Sequence, residues 1–209
     1  MANTLAPFGF LQYFGGAGGA PTFSQTTRKI AAGNTTKVFT GDPVIEVSGT
    51  NSGYISQGSN AYTTTPLAGV FVGCRYLSTS QSKVVWSAYW PGADATGDVD
   101  AYIIDDPNAR FIVQSGWSSP LATSLTSLTA TPIGRYCDYT IGSGSTSTGR
   151  SAAYVSSLAT TNTQPFIVVD LQVFPPGSNG TDPTTQYYNV VVGFNNQAWR
   201  SNSAVTGIS

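Results

Sequence analysis

Apolar residues in this chain come in short runs of β-branched and aromatic side chains, interrupted by Gly, Pro, Asn or Asp at intervals of about 8 to 15 residues. No stretch sustains the 3.6-residue apolar stripe that a long amphipathic helix requires. Early runs are Lys37-Val38-Phe39, Val44-Ile45-Glu46-Val47 and Gly53-Tyr54-Ile55-Ser56. A longer one, Leu67 to Leu77, carries Gly69 and Gly73, which predict a bend or a close backbone approach. Then come Lys83 to Trp86, Ala101 to Ile104, Arg110 to Val113, Gly134 to Cys137 and Ala153 to Val155. The strongest are Phe166 to Phe174 and Tyr187 to Phe194, separated by the loop Pro175 to Gly180.

This pattern predicts an all-β protein: one β-barrel or β-sandwich, jelly-roll-like or tulip-like, over residues 37–209. Residues 1–36 read differently. They hold Phe8, Phe10, Tyr13, Phe14 and Phe23 among closely spaced glycines, and glycine at that density disfavours helix and regular strand alike. We read this segment as an extended N-terminal arm whose aromatics bury against something else, either its own domain or a neighbouring subunit. Those five aromatics are the candidate interface residues. One short helix is predicted over 119–129, where Leu121, Leu125 and Leu128 share a helical face, although the intervening Ser and Thr are poor helix formers. The Gly/Ser/Thr segment 140–149 reads as a mobile loop.

Composition narrows the function. The 209 residues include no His and one Glu, Glu46, and only 9% of side chains are charged. The commonest general base and metal ligand is therefore missing. Ser and Thr together number 51, supplying polarity without charge. A net charge of −1 and six scattered arginines give no reason to expect nucleic acid or an anionic membrane as partner. The opening Met1 to Phe8 lacks the basic and apolar regions of a secretory signal, and no run reaches the roughly 18 apolar residues of a membrane span. A cytosolic origin is expected, with Cys74 and Cys137 as reduced structural thiols rather than a disulfide.

Three constellations invite a chemical reading. Five acids fall between Asp94 and Asp106, and Asp94, Asp98 and Asp100 flank Gly97 in a way that suggests calcium. Their spacing is not that of an EF-hand, and turns at 92–97 and 105–108 with solvent-facing Asp98 and Asp100 explain them more simply. A glycosidase would need two of these carboxylates as a catalytic pair, but nothing in the sequence points to a raised pKa. Trp86, Tyr89, Trp90, Trp117 and Trp199 could stack sugars, whereas core and interface roles account for aromatics at less cost. Neither a cofactor nor a catalytic residue is expected.

Several phrases taken in order carry a resemblance. They are Ala6-Pro7-Phe8-Gly9-Phe10, Val38-Phe39-Thr40-Gly41-Asp42-Pro43-Val44, Leu67 to Gly73, Ile104 to Gln114, Gly149-Arg150-Ser151 and Val192 to Gln197. Together they resemble the small head-associated structural proteins of tailed bacteriophages, in particular capsid decoration (cement) proteins. The resemblance implies a non-enzymatic β-rich virion subunit, made in the host cytoplasm, that binds the outside of the capsid and bridges neighbouring coat subunits. Its expected partners are the major capsid protein and itself, as dimer or trimer. A carbohydrate-binding surface module of the virion is the alternative.

Overall fold

The computed structural model describes residues 2–14, 25–49, 52–58, 65–118, 122–124, 127–128 and 132–199. These form sixteen strands. The first eight are β1 (Leu11–Phe14), β2 (Thr26–Ile30), β3 (Val38–Phe39), β4 (Pro43–Glu46), β5 (Ile55–Gln57), β6 (Leu67–Ser78), β7 (Lys83–Ser87) and β8 (Tyr89–Trp90). The rest are β9 (Val99–Ile104), β10 (Arg110–Gln114), β11 (Ala122–Ser124), β12 (Ser127–Leu128), β13 (Tyr136–Gly142), β14 (Ala152–Ala159), β15 (Phe166–Leu171) and β16 (Asn189–Phe194).

The protein is all-β and sandwich-like, with two six-stranded antiparallel sheets, neither of which closes into a barrel. One sheet has the order β1-β10-β16-β15-β13-β14; the other runs β2-β9-β6-β4-β5, with β7 also on β6. Two short pairs, β3 with β8 and β11 with β12, complete the architecture.

Two apolar clusters form the core, and the first is shared between the sheets, since Leu67 and Val70 of β6 and Ile104 of β9 join the side chains of the β1-to-β14 sheet. In the first, the rings of Phe10, Phe111, Tyr139, Phe166 and Phe194 interlock, with Phe10 stacked on Phe166 at 4.5 Å. Strand β16 is buried along its whole length, which explains the unbroken apolar run Val190-Val191-Val192. The second cluster gathers Ile30, Val38, Ile55, Phe71, Tyr76, Trp90, Val99 and Ile103. Alternation in β9 is clear: Val99, Ala101 and Ile103 face inward, while Asp100 and Tyr102 are only partly covered.

The sheets meet at a polar junction around Asp42. The Asp42 carboxylate is fully buried and accepts from Phe39 N–H at 2.8 Å, Gln57 Nε2 at 2.8 Å and Ser151 Oγ at 2.5 Å. Gly9 and Gly41 cross here, both at positive φ, and Phe10 N–H donates to Gly41 O at 2.9 Å. A Cβ on Gly9 would sit 2.7 Å from that of Ser151, so glycine is required for the crossing.

The structure corrects several expectations. Residues 1–36, read as an extended arm poor in regular strand, hold two strands where described, both packed on the same chain: β1 is an edge strand on β10, and β2 an edge strand on β9. Where residues 119–129 are described they form β11 and β12, not a helix; Leu121 and Leu125 lie outside the described residues. The supposed mobile loop ends β13 and then turns tightly, with Gly149 N–H donating to Ser145 O and Ser145 N–H to Arg150 O. Strand β16 starts at Asn189 because Tyr187 adopts a positive φ of 58° and donates its N–H to Trp117 O instead. The glycines of β6 do what the sequence suggests. A bulge falls between Phe71 and Gly73, and Gly69 packs where a Cβ would meet Ile104 O at 2.5 Å.

Candidate interaction surfaces

The five aromatics expected at an interface separate into different roles. Phe10 is 2% exposed in the first core, because the Gly9–Gly41 crossing turns its side chain inward; it is not available to a partner. Phe8 is half-buried and Tyr13 is exposed on β1. Phe14 ends β1, but its side chain and the whole of Phe23 lie outside the described residues.

Ahead of β1, residues 3–6 are bound to a loop far away in sequence. Asn3 Nδ2 donates to Asp182 O at 2.9 Å, and Asn3 Oδ1 accepts from Gly180 N–H. Thr4 and Asn179 exchange hydrogen bonds. Gln114, fully buried, ties the two together: its Oε1 accepts from Ala6 N–H at 2.7 Å, and its Nε2 donates to Thr4 O and Tyr187 O. This fastened loop displays Val173 and Phe174, the latter 71% exposed.

The acids between Asp94 and Asp106 are distributed over separate structural contacts. Asp94 accepts from Ser80 N–H and Ser78 Oγ, which hold its carboxyl below the ordinary range. Asp98 accepts from the Tyr54 hydroxyl. Asp100 joins Lys29 on β2 to Arg75 on β6, and these hydrogen bonds lower its pKa. Asp105 pairs with Arg28 at 3.4 Å and accepts from Thr26 Oγ1, while Asp106 forms the turn to β10 by accepting from Asn108 N–H. Among the described residues no three His, Cys, Asp or Glu side chains gather as a metal site would need. Both cysteines are free and buried; burial pushes the Cys74 thiol up to about 12 and raises Cys137 as well.

The tryptophans divide sharply. Trp90 is fully buried, edge-on to Tyr76, and Trp117 is packed against the first core beside Tyr188. Trp199 is 48% exposed beneath the Arg28 guanidinium, 4.5 Å from its ring centre. Trp86 on β7 is 67% exposed, parallel to Tyr102 of β9 within 2°, with centroids 5.7 Å apart. Arg75 lies 5.4 Å from the Trp86 ring. Cross-strand pairing puts Val84 opposite Leu77 and Trp86 opposite Arg75, and all three apolar members are exposed. Sequence reasoning passed over Tyr102, Arg75 and Phe174. The usable signal was Val84 and Trp86 at a spacing of two, which puts both on one face of a strand.

Comparison with family models, curated proteins and solved structures returned no match.

Proposed function

We propose that the protein is a non-enzymatic structural subunit of a phage head, a cement protein that binds the outside of the capsid and bridges neighbouring coat subunits. The observation that carries this reading is the fastened display of Phe174: a large apolar side chain 71% exposed on a loop held by Asn3, Thr4 and Gln114. A side chain presented on a pre-ordered loop loses little entropy on docking, which favours a contact-making role. The ordered phrases of the phage-head resemblance support the same reading from a different direction. Several of them, around Gly9, Gly41, Asp42 and Ser151, meet at the sheet junction.

A contact present only in the assembled shell stabilises that shell by mass action. Purified virions should contain the chain on the capsid exterior, visible as density bridging coat subunits. Phe174→Ala should lower its occupancy there and make capsids more heat-labile. Absence of the chain from the virion, or its location in the interior, would overturn the proposal.

A further inference from the structure

We propose a second site, independent of the cement role: the outer face around Trp86 binds a neutral β-1,4-linked oligosaccharide of the glucose or N-acetylglucosamine type. Trp86 and Tyr102 stand on β7 and β9, with β6 between them. The β6 residue paired with Tyr102 is Gly73, which places no side chain between the two rings. They can therefore lie parallel across the strand, offset rather than eclipsed, in the arrangement aromatic pairs prefer. Trp86 remains two-thirds exposed in this arrangement.

A pyranose with every hydroxyl equatorial carries only axial C–H groups on its two faces, so it is a flat apolar plate with a polar perimeter. The site has matching parts. The indole offers the flat surface, and a groove of about 390 Å³ beside it is lined by Gln25, Ser87 and Tyr102 as well as Trp86. Val72, Cys74 and Ala88 supply apolar lining beside these, and a mostly apolar cleft with a few polar side chains is the usual form of a small-ligand site.

Charge decides between neutral and acidic sugars. Arg75, the cation beside the indole, already donates to Asp100 at 2.7 Å, and Lys29 is bound to the same carboxylate. Both already face the Asp100 carboxylate, so an anionic ring substituent gains less here than it would at an unpaired cation. A guanidinium has five N–H donors, so Arg75 can hold Asp100 and still donate to a sugar hydroxyl. The strand pairing fixes this arrangement, because Arg75 faces Trp86 on one side and Asp100 on the other.

The test is a titration of the full chain with cellohexaose and chitohexaose, followed by tryptophan fluorescence and saturation-transfer NMR. At least one should give a saturable response, weakened about tenfold or more by Trp86→Ala and less by Trp86→Phe. Tyr102→Ser should weaken it too, with far-UV circular dichroism unchanged in all three. No saturable response to either sugar would overturn the proposal, as would a titration indifferent to Trp86→Ala. If Trp86→Ala removes the chain from capsids but leaves sugar binding intact, the face is a protein contact and the sugar site is wrong. Loss of sugar binding with capsid occupancy unchanged would support the site and leave the cement reading standing.

Discussion

Burial is the largest influence on Asp42 and raises its pKa above the ordinary 3.8, against the opposing pull of hydrogen bonds from Phe39, Ser151 and Gln57. The carboxylate is tolerated because three donors surround it; removing it leaves them buried and unpaired. Asp42→Ala should therefore destabilise the protein by about 2–4 kcal/mol in urea unfolding at neutral pH. The pH dependence has the opposite sign to that of a salt-bridged acid. The native state holds the Asp42 proton more tightly than the unfolded chain does, so this residue's contribution falls as pH rises from 3.8 through the raised native value. In Asp42→Asn that part of the slope should vanish, and an unchanged profile would show that the junction carboxylate titrates as it does in the unfolded chain.

At the scale of elements, the segment before β1 is held by one buried side chain more than by its own sheet. Gln114 reaches Thr4, Ala6 and Tyr187, three backbone groups that no regular ladder satisfies. Gln114→Ala should speed amide exchange at Ala6 by about tenfold or more while β16 stays protected; uniform loss of protection would mean the segment and the sheet open together. The strands themselves were legible because period-2 alternation and β-branching report the pleat directly, as Val99, Ala101 and Ile103 show. Their ends were not. Tyr187 looked like strand but adopts a left-handed backbone to meet Trp117, a choice set by a partner 70 residues away. The 140–149 segment looked mobile because its glycines suggested freedom, whereas Gly144 and Gly149 admit the Phe39 ring and Ala88 at distances a Cβ would forbid. The 119–129 leucines matched a helix by spacing alone. Of the candidate sites, Trp86 was visible in the sequence and its partner was not, because Tyr102 meets it only through the sheet order β7-β6-β9.

Across the whole molecule, acid should act through Asp94 and Asp100. Hydrogen bonds lower both pKa values, so the stability they contribute is present above 3.8 and is lost as pH falls through their native values. Asp100 joins β2, β6 and β9 through Lys29 and Arg75, so Asp100→Asn should lower the melting temperature at neutral pH and flatten its decline below about pH 4. A decline as steep as in the parent protein would place the acid sensitivity elsewhere. The tie between Asn3 and Asp182 spans 179 residues, and β1 is a strand of a sheet whose other members all begin at Arg110 or later. On a ribosome adding about 5–20 residues per second, Asn3 waits about 10–40 s after it is made for Asp182 to emerge. Until Phe111 and then Phe166 are made, Phe10 has neither ring to pack against, so this core side chain stays unsheltered while most of its sheet is still to be synthesised.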